Sequence, residues 1–243
     1  MRNKNAVTAK AAGLMLVLAG AANAGIIADP KTDWSDTSNP HSGWSYDGGG
    51  NASLLSTSAW DPGEMSGQSA WADPGVGTLP AWFLSTAVFN GFGASSADWQ
   101  LGDIVTHTDG VGLGFDSVTW TSSVTGYIDV VGSLWNGRNI GRENGWRLRH
   151  SNGDVILASG QLTSGDGHGR SSPESFAVHS FFAHVGDVFT LELGPTSTTT
   201  GDFVGVSLTF SDAAAPEPSS VWLLAGGALA FAWTRRIVAG VTR

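Results

Sequence analysis

The stretch WRLRHSNGDVILA, residues 146–158, decides the fold. A short run with β-strand character lies on each side of the pair Asn152-Gly153, namely Trp146 to His150 and Asp154 to Ala158. Asn-Gly tolerates the two positive φ angles of a type I′ turn, so the stretch predicts a β-hairpin. No long segment around it shows the 3.6-residue period of an amphipathic helix.

Further runs with strand character extend away from this hairpin in both directions. They are residues 117–124 and 127–135 before it, and 176–182, 188–193 and 203–210 after it. Several short strands at such spacing are typical of two packed antiparallel sheets. The sequence therefore predicts an all-β protein whose domain, residues 25–212, is an antiparallel, jelly-roll-like β-sandwich.

Tryptophans lie among Gly, Pro, Asp and Ser in the N-terminal half of this domain. We expect loop aromatics to be exposed, and indole faces stack on the C–H faces of sugars. The candidate glycan contacts are Trp44, Trp60, Trp71 and Trp82. Residues 60–63 and 71–75 form a near-repeat of a turn unit, which suggests paired loops instead of core strands. The alternative, equally open here, is that the tryptophans fill the sandwich interior.

The charge of the domain is strongly acidic. Residues 25–212 hold six Lys and Arg against 20 Asp and Glu, a balance of −14. Such a surface argues against nucleic acid as a partner and fits a neutral exopolysaccharide or divalent cations. The chain has no cysteine, which excludes thiol nucleophiles, thiolate metal sites and disulfides.

Motifs for catalysis or metal binding are weak. No Gly-x-Ser-x-Gly or His-Glu-x-x-His pattern occurs, so we expect no catalytic residues and no enzyme activity. Asp47, Asn51 and Asp166 stand in Gly-rich loops whose oxygen atoms suit Ca²⁺, although Asp and Asn also favour such turns without any ion. We therefore expect no cofactor, or at most a structural Ca²⁺.

The N-terminus has the pattern of a secretory signal peptide over residues 1–24. A basic start precedes an apolar stretch, residues 11–22, and Ala22-Asn23-Ala24 supplies the small-x-small site that signal peptidase cuts. The mature chain is thus predicted to begin at Gly25.

The C-terminal segment, residues 213–243, combines three features in order. They are Pro216-Glu217-Pro218, a mostly apolar run over residues 219–234, and the pair Arg235-Arg236. The run predicts a single transmembrane helix, and the positive-inside rule leaves the arginines in the cytoplasm. This order resembles the PEP-CTERM sorting signal of Gram-negative bacteria. The resemblance implies an inner-membrane stage facing the periplasm, cleavage near the tripeptide by an exosortase, and a final place at the cell surface or in the extracellular matrix.

Residues 117–212 also resemble, more loosely, an ectodomain type seen in many PEP-CTERM proteins. The shared elements are Trp120, Gly126-Tyr127, Gly186-Asp187, Gly194-Pro195 and the strand at residues 203–210. The two resemblances imply an exported envelope or matrix protein with a structural or carbohydrate-interacting role in exopolysaccharide or biofilm. The alternatives are a secreted polysaccharide-active enzyme on the same sandwich and a purely structural protein without a discrete site.

Overall fold

The computed structural model describes residues 24–49, 52–60, 68–74, 79–86, 98–110, 114–138, 140–151, 154–163, 168–196 and 201–213. These ranges contain β-strands and no α-helix, and hence none of the long apolar helices that cross membranes. The predicted transmembrane helix and all but the last residue of the predicted signal peptide lie outside the described residues, so these two predictions and their boundaries stay predictions.

The strands are β1 (Ile26–Ala28), β2 (Trp44–Gly48), β3 (Ala52–Ser53), β4 (Leu55–Trp60), β5 (Gln68–Ala72), β6 (Ala81–Leu84), β7 (Ile104–His107), β8 (Asp116–Thr121), β9 (Gly126–Asn136), β10 (Asn144–His150), β11 (Val155–Leu162), β12 (Glu174–Ala183), β13 (Val188–Pro195) and β14 (Phe203–Asp212). The first sheet has the order β12-β9-β14-β7-β6-β5-β4, with β1 also paired to β14. The second sheet has the order β11-β10-β13-β8-β2-β3.

All pairings are antiparallel, and from β8 onward the chain passes repeatedly between the two sheets. This architecture confirms the predicted all-β, jelly-roll-like sandwich. The predicted hairpin is β10–β11, in which His150 lies opposite Val155. Its Asn152-Gly153 turn lies outside the described residues.

The main core fills the space between the sheets because alternate residues of the facing strands are apolar. Trp146 and Leu148 of β10 point inward, for example, whereas Arg147 and Arg149 point outward. Aromatic rings dominate this core. The ring centroids of Trp120 and Phe210 lie 4.2 Å apart across it.

The N-terminal half of the chain forms strands where we predicted loops. Trp60 ends β4 and Trp71 lies in β5, and these two strands pair with each other. One side of β5–β7 faces the main core, and the other side packs into a second apolar cluster that includes Phe83, Trp99 and Phe203. Because both sides of these strands are covered, their sequences lack the alternation from which a half-exposed strand is recognised.

Candidate functional site

The four tryptophans predicted as glycan contacts are buried, and the expectation that they are exposed is corrected. Trp44, Trp60 and Trp82 are at most 1% exposed, and Trp71 is 6% exposed. Trp44, Trp71 and Trp82 belong to the main core, and Trp60 belongs to the second cluster. A ring packed on both faces by protein atoms has no face left for a sugar, so these residues stabilise the fold.

Two of these indoles also fix the loop that follows β1. The Nε1–H of Trp44 donates a hydrogen bond to Asp33 Oδ2 at 3.1 Å, and that of Trp71 donates to the carbonyl oxygen of Ser35 at 2.8 Å. Buried indole N–H groups usually need such partners. The loop is therefore tied to the core at two points.

The outer side of the second sheet is a polar surface, here called the polar face. Its side chains lie in two rows of cross-strand neighbours: Ser45, Thr119, Thr190 and Arg149 in one, and Asp47, Ser117, Glu192 and Arg147 in the other. These positions alternate with the inward apolar residues of β2, β8, β13 and β10.

Ion pairs and hydroxyl contacts hold the polar face in a defined arrangement. Both Arg147 and Arg149 bond to the carboxylate of Glu192, the latter with Nη1 at 3.1 Å from Oε1. The Thr119 hydroxyl donates to the Thr190 hydroxyl at 3.1 Å. The result is an array of donors and acceptors whose positions are set before any ligand arrives.

An open groove of about 540 Å³ adjoins this face at the ends of β2 and β8. Its lining consists of Pro40, His41, Ser42, Gly43, Ser45 and Thr121. Ser45 is shared with the polar face, so the two form one continuous surface that is rich in neutral hydroxyl groups.

Exposed aromatic rings lie on the other sheet, where β9 begins and β12 ends. Tyr127 is 39% exposed and Phe182 is 45% exposed, and their rings contact edge to face with centroids 5.1 Å apart. Ile26 and Val185 are exposed at the same end. We call these four residues the exit surface, because the chain leaves the sandwich beside them.

Both ends of the described domain meet at the exit surface. The Asp212 N–H donates to the carbonyl oxygen of Gly25 at 2.9 Å, and the Ala213 N–H donates to that of Tyr127 at 2.9 Å. Ala24 and Gly25, two residues of the predicted signal-peptidase site, are exposed. Ala22, the tripeptide Pro216-Glu217-Pro218 and the pair Arg235-Arg236 lie outside the described residues.

The opposite end of the sandwich contains buried polar groups. The Thr108 hydroxyl donates to Asn144 Oδ1 at 2.9 Å and accepts from the Asp202 N–H at 3.0 Å, which links β7, β10 and β14. Burial raises the pKa of the Asp202 carboxyl to about 6, against the opposing effects of the Phe203 N–H and of Arg142.

Asp116, at the start of β8, is the most perturbed carboxyl at this end. Burial raises its pKa to about 8, and the nearby charge of Asp109 adds to the effect, while the backbone N–H groups of Asp109 and Gly49 oppose it. Its Oδ2 accepts a hydrogen bond from the Asp109 N–H at 2.7 Å, whereas its buried Oδ1 has no hydrogen-bond partner in the described part of the chain.

Of the three predicted Ca²⁺ candidates, the structure describes Asp47. Asp47 lies on β2, half-buried, and desolvation raises the pKa of its carboxyl. Asn51 and Asp166 lie outside the described residues. In the part of the chain that the structure describes, no group of three or more His, Cys, Asp and Glu side chains could hold a metal ion. The Ca²⁺ candidates stay predictions.

Sequence reasoning missed the residues of the polar face and the exit surface, although alternation carried the signal for several. In β9, Ile128 and Val130 face inward, so Tyr127 must face outward. Phe182 was harder to place. The β12–β9 register shifts between Val178 and Phe181, which breaks the alternation along β12.

Comparison with known proteins identifies the C-terminal segment. Residues 214–236 match the family model of the PEP-CTERM protein-sorting motif, which confirms the sorting signal predicted there. The chain is therefore an exported protein with a C-terminal sorting signal. No curated protein matches the chain as a relative.

Among solved structures, the sandwich is remotely similar to several carbohydrate-binding modules. The CBM36-1 domain of a multidomain xylanase from the hindgut metagenome of Trinervitermes trinervoides is 13% identical, with 51% of this chain and 90% of that chain covered and a TM-score of 0.30. CsCBM6-3 from Clostridium stercorarium, in complex with cellobiose, is 13% identical, with coverages of 69% and 88% and a TM-score of 0.29. TmCBM61, in complex with β-1,4-galactotriose, is 12% identical, with coverages of 65% and 97% and a TM-score of 0.34. Likenesses at this level transfer neither a ligand nor a site.

Proposed function

We propose that the protein is a cell-envelope or extracellular-matrix protein of a Gram-negative bacterium that an exosortase processes near Pro216-Glu217-Pro218. In this proposal signal peptidase cuts before Gly25, and residues 219–234 hold the chain in the inner membrane until processing. One observation carries the proposal: the sorting motif begins at residue 214, directly after the last described strand ends at Asp212. The cleavage signal thus follows the folded domain along the chain.

Replacement of the tripeptide tests this proposal in the protein's own host. Changing Pro216, Glu217 and Pro218 to alanine is expected to make the full-length, membrane-associated form accumulate. The matched control changes the adjacent Ser219 and Ser220 to alanine, which leaves the tripeptide intact. Unchanged processing of the tripeptide variant would overturn the proposal.

The sandwich itself is proposed to contact a neutral exopolysaccharide through the polar face and its groove. Three properties support this choice. The face is preorganised by ion pairs, it carries half-buried neutral hydroxyls that can hydrogen-bond to sugar hydroxyls, and the domain's balance of −14 disfavours acidic polymers. An open, half-buried row of fixed donors and acceptors suits an extended chain of sugars better than a small enclosed ligand.

A pair of threonine substitutions tests the proposed glycan contact. Thr119→Val with Thr190→Val removes the two facing hydroxyls and keeps the β-branched shape, so we expect about tenfold weaker binding to the host's exopolysaccharide in affinity electrophoresis. The control is Thr209→Val, which alters a half-buried strand threonine on the outer side of the first sheet. Equal loss of binding in the double variant and in Thr209→Val, or no saturable binding by the wild type, would contradict the polar face as the binding site.

We propose that the protein is not an enzyme and needs no cofactor. Hydrolysis of a glycosidic bond uses two carboxyl groups roughly 5 to 10 Å apart across the sugar. The groove is instead lined by hydroxyls, a proline, a glycine and His41. Of the two carboxylates on the polar face, Asp47 and Glu192, the latter is held in ion pairs with Arg147 and Arg149. The alternative, a secreted polysaccharide-active enzyme, predicts new reducing ends when the protein is incubated with the polysaccharide, and their appearance would overturn this part of the proposal.

A further inference from the structure

We propose that the exit surface (Ile26, Tyr127, Phe182 and Val185) is a docking site for the enzyme that cuts at the tripeptide. Processing would then depend on a surface of the folded sandwich as well as on the sorting motif. This inference rests on the proposed function, since it presupposes cleavage near Pro216-Glu217-Pro218.

The first argument is the length of chain between the sandwich and the cleavage signal. The Ala213 N–H is held by the carbonyl oxygen of Tyr127 at 2.9 Å, so the chain leaves the domain at this residue of the exit surface. Three peptide units separate Ala213 from Pro216, and three fully extended residues span at most about 11 Å. An enzyme that closes around the tripeptide must therefore come against the surface beside Tyr127.

The second argument is the chemistry of the surface. Tyr127 and Phe182 form an exposed aromatic pair on the solvent side of the first sheet, and the ring of His184 contacts that of Phe182 with centroids 5.1 Å apart. Aromatic side chains are enriched among the residues that anchor protein–protein interfaces. Val185 extends the apolar area into the β12–β13 loop, and Ile26 extends it across β14 to β1.

The third argument favours a protein partner over the lipid surface. The chain segments that reach this end of the sandwich, residues 24–30, 122–133, 174–187 and 203–213, contain no Lys or Arg along their whole length. Asp129 and Asp212 add negative charge instead. Attachment to anionic lipid headgroups relies on clustered Lys and Arg, so this surface fits an apolar protein patch better.

The test compares the processing rate of three full-length proteins in the native host by pulse-chase and intact mass. The exit variant carries Tyr127→Ser and Phe182→Ser. The matched control carries Leu55→Ser and Leu101→Ser, which alter apolar residues that are 56% and 69% exposed elsewhere on the domain. Loss of two central aromatic anchors is expected to slow processing about tenfold, whereas the control is expected to match the wild type.

The outcomes separate this inference from the proposed function. If the wild type itself is not cut near residue 218, the proposed function fails. If the wild type is cut and the exit variant is cut at the same rate, the inference alone fails. Tryptophan emission of the exit variant at the wild-type wavelength shows that the sandwich is intact. Sedimentation of the released wild-type domain with anionic vesicles, lost in the exit variant, would replace the enzyme by lipid as the partner and overturn the inference.

Discussion

Replacing Asp116 with asparagine is predicted to change how the stability of the protein depends on pH. Asp116 is completely buried, and its pKa is raised to about 8 in the folded protein from an ordinary value of 3.8. Between these two values the folded state holds the proton more tightly than the unfolded state. The contribution of Asp116 to stability therefore falls as the pH rises from about 4 to about 8, by about 1.4 kcal/mol per pH unit.

The size of the effect follows from that slope. Over the three units from pH 5 to pH 8, the unfolding free energy of Asp116→Asn should rise relative to the wild type by about 4 kcal/mol. Asparagine keeps an acceptor for the Asp109 N–H but leaves its amide group without a partner, which lowers the variant's stability by about 1 to 3 kcal/mol at every pH. This loss is the same at pH 5 and pH 8, so it cancels when the unfolding free energies at the two pH values are subtracted.

Urea unfolding followed by tryptophan emission measures this difference, because most tryptophans of the domain are buried. Asp154→Asn, at a position 74% exposed, provides the baseline for the same chemical change. A difference between variant and wild type that does not change from pH 5 to pH 8 would refute the reasoning.

Two further predictions concern side chains that join separate parts of the fold. Gly205→Ala is expected to cost about 1 to 3 kcal/mol in urea unfolding, because a Cβ there would overlap the Trp135 ring, whereas Gly126→Ala meets nothing and should change stability by less than about 0.5 kcal/mol. Equal costs would contradict the packing of Trp135 across β14. Asp103 is a buried carboxylate that forms ion pairs with Lys31 and Arg170. Asp103→Asn is therefore expected to lower the free energy of unfolding by about 2 to 3 kcal/mol, against less than about 1 kcal/mol for the exposed Asp154→Asn. A cost for Asp103→Asn no larger than for Asp154→Asn would show that those ion pairs contribute little.

The acid dependence of Asp103 has the opposite sign to that of Asp116. Burial works against its ionisation, but hydrogen bonds from Arg170, the Gln100 N–H and Lys31 outweigh it and hold the pKa below the ordinary value. Its contribution is therefore present above an unfolded value of 3.8 and is lost as the pH falls through the lowered pKa. We expect the wild type, but not Asp103→Asn, to lose this increment in acid unfolding followed by tryptophan emission. Equal acid sensitivity would contradict the assignment.

Much of the C-terminal half of the fold could be predicted because strands such as β10 are covered on one side only. Trp146, Leu148 and His150 alternate with Arg147 and Arg149, so the pattern indicates both the strand and its buried side. The β10–β11 hairpin followed from Asn-Gly, whose local preference needs no tertiary information.

The N-terminal half could not be predicted in the same way. Strands β5 to β7 are covered on both sides, so Trp82 and Phe83 are consecutive and both buried. The cluster that covers their second side includes Trp99, whose ring contacts that of Phe83 in β6 although it lies outside these strands in the sequence. Whether a tryptophan near Gly and Pro is exposed depends on such long-range packing, and this is why the expected glycan contacts were misplaced.

The intact mass of the protein, recovered from envelope and medium fractions of its own host, tests the central claim most directly. We predict a species that starts at Gly25 and ends near residue 218, with or without the added mass of a conjugated glycan or lipid. A membrane-bound species running from Gly25 to Arg243 as the only product would show that the C-terminal segment is a permanent anchor, and would contradict the proposed exosortase processing.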